Sequence, residues 1–162
     1  AFFIFLKEEI PGCENAYFID YAQEVGVRQT RSITGVKRLT NEDVVNGRKL
    51  KDTIARSSWP IELHYGSKPK TEGLIDDYYD VPFGALVPSS GQNVIVAGRC
   101  LSAEHEALAS CRVTAQCFEY GRAAAIATDL SLKFDLNYQD IDGTEITSLM
   151  NENYYGQKNP VF

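Results

Sequence analysis

A short apolar run followed by a long alanine-rich stretch constrains the fold of this chain more than any other feature. Residues 93–97 are apolar after the first asparagine and lie between turn residues. A run of this kind is typical of a strand buried on both faces, as in a parallel sheet. Residues 103–132 contain no proline and one glycine, and they predict the longest helix. Gly98 and Arg99 lie between the two. The order predicts an α/β fold in which ligands collect at the carboxyl end of the strand, beside a helix N-terminus.

The remaining elements are predicted from periodicity, caps and turn residues. Residues 40–43 resemble a capping box, which would open a short helix ending at Gly47. The other helices are expected as the last turns of a buried helix in residues 1–9, at 14–25 and at 140–153. Strands or extended segments are expected in residues 27–39, 53–57, 60–65 and 81–87. Residues 66–70 are expected to form a loop, and the tail after Tyr155 to be loose or to pack on a partner.

Composition and charge exclude several classes of protein. The 162 residues carry a net charge of −6, which argues against a general surface for nucleic acid or anionic membranes. The initial apolar run spans six residues, far short of the roughly 20 that a membrane-spanning helix needs, so no membrane insertion is expected. Nothing in the sequence indicates a compartment. The four cysteines have neither zinc-site nor redox-motif spacing, so we expect no metal site and mostly buried free thiols, with one disulfide as the alternative.

Residues 93–113, continuing through Cys117 and residues 120–124, resemble the C-terminal flavin motif of the FAD-dependent oxidoreductase family. That family is distantly similar to the fumarate reductase and succinate dehydrogenase flavoproteins. Residues 26–31, 39–44 and 60–64 resemble further signature segments of the family, and the matches keep the family's order from about residue 10 to 155.

The resemblance implies the C-terminal part of a two-domain FAD-binding (Rossmann-like) flavoprotein with a β-rich substrate subdomain. Residues 1–87 would belong to the substrate-side subdomain, and residues 88–135 would supply the final strand and long helix of the FAD-binding domain. Residues 136–162 would form a C-terminal helix and tail. The implied activity is hydride transfer between a small organic substrate and FAD.

The resemblance also implies roles for individual residues. Gly98 and Arg99 would face the ribityl and phosphate region of FAD, and residues 112–114 would form the helix start that faces the flavin pyrimidine ring. The expected cofactor-binding residues are Gly98, Arg99, Cys100, Ser102, Glu106, Arg112, Val113 and Thr114. The candidate catalytic residues are His105, Arg112 and His64.

Each of these charged or titratable candidates also has a structural interpretation. His105 would contact the cofactor, transfer a proton or only bond nearby backbone, and His64 would simply end a strand. Arg112 would hold an anionic flavin or a substrate carboxylate, or pair with Glu106 or Glu119. For Arg28 and Arg31 ordinary ion pairs are preferred over an anionic substrate. The acidic residues Asp76, Asp77 and Asp80 are expected in a solvated loop.

One element of a dinucleotide site is missing from the sequence. No two of the 12 glycines are separated by a single residue, so no G-x-G turn is present to approach a pyrophosphate. We therefore expect an N-terminal FAD-binding half or subunit as partner, and a chain that is inactive in isolation. The alternative is a non-catalytic fragment or assembly module that holds no cofactor alone.

Overall fold

The computed structural model describes residues 1–63 and 70–152 of the chain. The helices are α1 (Phe2–Glu9), α2 (Asn41–Val45), α3 (His105–Cys111), α4 (Thr114–Phe134) and α5 (Gly143–Asn151). The strands are β1 (Thr53–Ser57), β2 (Ile61–Leu63), β3 (Lys70–Glu72) and β4 (Tyr79–Pro82). Short 3₁₀ helices span Phe83–Ala85 and Tyr138–Asp140. His64, most of the loop expected at 66–70 and the C-terminal tail lie outside the described residues.

Two small antiparallel sheets form the β structure. β1 pairs with β4, with a register shift between Thr53 and Ala55, and β2 pairs with β3. α4 and α5 pack against β1 and against each other, while α3 packs against β2 and α2. This combination of helices and strands is consistent with the α/β class. No helix in residues 1–63 and 70–152 is both long and apolar enough to cross a membrane.

The core lies between the β1–β4 sheet and the helices that follow it. Tyr79 of β4 and Tyr120 of α4 are fully buried, and so are Leu101 and Leu108. The Tyr120 hydroxyl donates to the carbonyl of Cys111 at 2.8 Å, which satisfies its only polar group inside the core. Small residues such as Ala123 and Ala127 let α4 approach its neighbours closely. This core fixes the positions of the ends of α3 and α4.

Local sequence signals correctly located several elements. The Thr40 hydroxyl accepts from the Asp43 amide at 3.1 Å, and the Asp43 carboxylate accepts from the Thr40 amide at 3.0 Å. This is the capping box expected before α2. Strand β1 is confirmed in full and β2 over its described part. The last helix is confirmed as α5, with Ile146 and Met150 buried.

The N-terminal third differs from the sequence predictions. Residues 14–25 form no helix, and Tyr17, Tyr21 and Val25 are largely exposed. An amphipathic pattern is stable as a helix only when its apolar face is packed, and these side chains contact no core. α1 forms as expected but none of its residues is buried. Residues 27–39 form no hairpin; the segment makes isolated β-bridges at Gly35 and Leu39 and single backbone hydrogen bonds, such as that from the Ile33 amide to the carbonyl of Cys100.

The central prediction, a strand over residues 93–97, is wrong for this structure. The segment is irregular, Val94 is half exposed, and the Val96 amide donates to the carbonyl of Leu86 at 3.0 Å. A parallel strand needs a hydrogen-bonded neighbour along its length, and the described residues supply no such neighbour. Residues 81–87 likewise leave the extended conformation after Pro82. The long helix expected over residues 103–132 is instead two helices, α3 and α4.

Candidate functional site

The break between α3 and α4 creates a helix start in the middle of the alanine-rich stretch. Arg112 ends α3, and Val113 has the extended backbone (φ −75°, ψ 159°) of a residue preceding a helix. Thr114 opens α4, so residues 112–114 form a helix start, as expected. In the described part of the chain no side chain caps α4, and Thr114 and Ala115 are exposed. The first amides of this 21-residue helix are therefore open to a ligand with negative or partial negative charge.

The start of α3 is closed by protein. The Asn41 side-chain oxygen accepts from the Ala107 amide at 2.9 Å, and the Asn41 amide donates to the Glu104 carboxylate at 2.8 Å. This reciprocal cap joins α2 to α3 and satisfies donors that a ligand would otherwise bind. His105 is exposed and Glu106 half-buried in this same first turn. Both lie at the capped helix start. Neither lines the cleft beside Gly98 and Arg99 that is described next.

A cleft of about 430 Å³ opens beside Gly98 and Arg99. Residues 27–31 form one wall and residues 97–100 the other, with Cys117 of α4 completing the lining. Arg99 is held in place because its Nη1 donates to the carbonyl of Val27 at 2.5 Å. The Ile33 amide donates to the carbonyl of Cys100 at 2.9 Å and joins the two walls further along. We call this the arginine cleft, after Arg28, Arg31 and Arg99.

Gly98 shapes the turn at this cleft. Its φ of +103° is a conformation that other residues rarely adopt, and a Cβ at this position would meet no atom within 4 Å. The glycine is therefore required by backbone conformation, and the space beside it stays open. Cys100 also lines the cleft, with its Sγ 3.8 Å from the carbonyl of Ala97. Three of the expected cofactor residues, Gly98, Arg99 and Cys100, are thus together.

Positive charge accumulates at this place. The pKa of Arg112 is lowered, mainly by partial burial and to a lesser extent by the positive charges of Arg28 and Arg99. The four arginines have no carboxylate partner within the described residues; Glu119, one expected partner of Arg112, instead lies 3.6 Å from Arg122. The ion pairs preferred for Arg28 and Arg31 are not seen within the described residues. Uncompensated guanidinium groups around a cleft are suited to bind an anion.

Ser102 lies elsewhere. It is buried, its amide donates to the carbonyl of Ala85 at 2.8 Å and its carbonyl accepts from the Leu39 amide at 3.0 Å. The expectation that it borders the cofactor is not supported by this position, because its surroundings are core. A metal site is also not seen within the described ranges, which contain no group of three His, Cys, Asp or Glu side chains arranged to hold an ion.

A buried polar network connects the α4 start to the sheet. Gln116, in the first turn of α4, donates to the Ser57 hydroxyl at 2.6 Å, and its side-chain oxygen is buried without a hydrogen-bond partner in the described residues. The Tyr79 hydroxyl lies 2.6 Å from the Ser110 hydroxyl, which bonds the carbonyl of Trp59. The roles of Gln116 and Asn41 could not be predicted from local sequence, because their partners lie more than fifty residues away.

The cysteines divide into one core thiol and three more accessible ones. All four are free; Cys111 is buried, and the rest are partly exposed. Burial raises the pKa of Cys111 to about 12 and also raises that of Cys117. Free thiols are thus confirmed, although most are less buried than expected.

The arrangement combines an open helix start with a basic cleft that has no acidic partner among the described residues, and both features suit the polar and anionic parts of a flavin nucleotide. The family described as FAD dependent oxidoreductase matches residues 1–150 of the chain. Neither a curated protein nor a solved structure matches the chain significantly. Because the family match covers most of the sequence, the chain belongs to the FAD dependent oxidoreductase family, which indicates a flavin-dependent oxidoreductase role with FAD as the cofactor.

Proposed function

We propose that the chain forms part of an enzyme that passes a hydride between a small organic molecule and FAD. The observation that carries this proposal is the exposed, uncapped start of α4 beside Arg112. When bound, FAD supplies a ring that takes up two electrons and a proton and becomes negatively charged near N1 and the C2 carbonyl. Amide donors and the positive end of a helix stabilise charge at such a position.

The residues of the site have distinct proposed roles. The amides of Thr114 and Ala115 bind the polar edge of the flavin ring, and Arg112 adds positive charge beside them. Gly98 and Arg99 contact the ribityl and phosphate region, and Gly98 leaves room for that approach. His105 and His64 are the remaining candidates for proton transfer to or from the substrate.

The residues that bind the pyrophosphate of FAD are proposed to lie in another part of the protein or in a partner. A Rossmann-type turn needs closely spaced glycines so that backbone amides reach the phosphates, and this sequence has no G-x-G. We therefore propose that the chain alone binds FAD weakly and is inactive without an N-terminal FAD-binding half. The alternative is an assembly module in which the α4 start contacts protein instead of flavin.

Two-dimensional NMR of the ¹⁵N-labelled chain tests this proposal, since weak binding is measurable by that method. Addition of FAD is expected to shift the amide signals of Thr114 to Gln116 in a saturable way. Arg112→Ala should weaken this binding at least tenfold, because a charge-assisted contact contributes roughly 1.5–3 kcal/mol. Arg38→Ala removes an exposed positive charge away from the cleft and serves as the control. Unshifted signals at the α4 start would favour the assembly module.

A further inference from the structure

The arginine cleft has the composition of an anion receptor in a protein that is otherwise acidic. The chain carries a net charge of −6, yet Arg28, Arg31 and Arg99 line one cleft that includes no acidic residue among its described lining. Overall negative charge repels anions, so a site for one requires local concentration of positive groups. Arg28, Arg31 and Arg99 are exposed, so an anion could reach all three, and it would reduce the repulsion between their like charges.

The shape and polarity of the cleft favour a small organic ion. Its volume of about 430 Å³ lies in the usual range for small-molecule sites. Val27 and Ala97 provide apolar surface, and Gln29 and Thr30 add polar groups beside the arginines. A guanidinium group forms two parallel hydrogen bonds with a carboxylate, and the Arg99 guanidinium is already positioned by Val27.

We propose that the arginine cleft binds the carboxylate of an organic-acid substrate, with Arg28 and Arg31 as its principal ligands. This inference rests on the proposed function, because Gly98 and Arg99, which line the same cleft as Arg28 and Arg31, are there assigned to the flavin nucleotide, so the substrate would lie next to the cofactor. Phosphate shares the same chemistry of recognition and would instead come from the cofactor. The absence of closely spaced glycines argues against a pyrophosphate here, because pyrophosphate sites in dinucleotide folds rely on backbone amides.

NMR titration of the full 162-residue chain with glutarate, a simple dicarboxylate, tests the inference without FAD. Saturable shifts are expected at residues 27–31 and 97–100, with glutaramide as the uncharged control. Arg28→Gln should weaken glutarate binding at least tenfold, Arg28→Lys should weaken it less, and Arg38→Gln should leave it unchanged. If the spectrum shows that Arg28→Gln has not folded, Arg31→Gln replaces it.

Two results would overturn the inference. One is no shift in the cleft with any carboxylate. The other is that inorganic phosphate or ADP binds there more tightly and displaces glutarate, which would assign the cleft to the phosphates of the cofactor. The FAD titration remains a separate readout, since it follows the amides of Thr114 to Gln116. Flavin shifts without glutarate shifts would refute only the substrate site, and the converse would refute only the flavin contact.

Discussion

Two regions of the molecule differ in whether their positively charged side chains are paired with acidic ones. Near β1 and β4 four cations have an acidic partner, whereas in the arginine cleft the described residues offer none. The paired-charge region consists of Lys37–Asp52 at 2.8 Å, Arg48–Asp43 at 2.7 Å, Lys49–Asp77 at 2.7 Å and Arg56–Asp80 at 3.7 Å. The difference indicates that the paired cations near the sheet stabilise the fold, while we propose that those of the cleft bind a ligand.

Removing the most buried acid of the paired-charge region should have the largest effect. Asp80 is almost fully buried, its Oδ2 accepts from the Leu50 amide at 2.7 Å, and Arg56 lies near its other oxygen. Asp80→Ala leaves that amide unsatisfied and is expected to lower the free energy of unfolding by about 2–4 kcal/mol. Urea denaturation measures this change in the free energy of unfolding. Asp77→Ala, which removes an exposed carboxylate, should lower the free energy of unfolding clearly less. Equal losses of stability in the two variants would show that the burial of Asp80 does not increase its contribution.

Acid should weaken the paired-charge region through Asp43. Burial raises the pKa of this carboxyl, but hydrogen bonds from Arg48 and from the Thr40 amide and hydroxyl outweigh burial, so the pKa lies below its usual value. Its contribution is present above an unfolded pKa of about 3.9 and is lost as the pH falls through the lower folded value. Asp43→Asn should cost about 1 kcal/mol at pH 7 and flatten the stability profile below about pH 5. An unchanged profile between pH 5 and 3 would refute this.

Neutralising one cation in each region should give the smallest but most direct contrast. Lys37→Gln leaves the largely buried Asp52 without its partner and should cost about 0.5–1 kcal/mol. Arg28→Gln removes an exposed charge that is repelled by Arg112 and has no ion pair within the described residues, and its effect should stay within about 0.5 kcal/mol of zero. Thermal unfolding in matched buffers compares the two variants. A larger loss for Arg28→Gln would show that this arginine has a structural partner.

Local signals in the sequence were sufficient to predict elements whose hydrogen-bond partners lie within a few residues. The capping box at Thr40 was located correctly from such signals, whereas the helix start at residues 112–114 was implied by the family resemblance and not by local pattern. Elements that depend on distant partners were not. Residues 93–97 have the composition of a strand but no neighbour to pair with among the described residues, and residues 14–25 have an apolar face with no core beneath it.

The candidate site shows the same division. The resemblance identified Gly98, Arg99 and Arg112, whose geometry follows from the turn and from the helix start. It could not show that Asn41 closes the start of α3, because that cap crosses 66 residues. Nor could it show that Arg28 and Arg31 lack acidic partners, since charge pairing depends on tertiary placement. The flavin and substrate roles of these residues remain predictions.

The hydrogen bond between Gln116 and Ser57 ties the orientation of the α4 start to the last residue of β1. Any ligand that requires those amides in one direction therefore depends on a serine that need not touch it. Replacement of Ser57 by alanine would leave every charge in place and still loosen the geometry of recognition. Under the proposed function, affinity would thus depend partly on the sheet, at a distance from the atoms that make the contact.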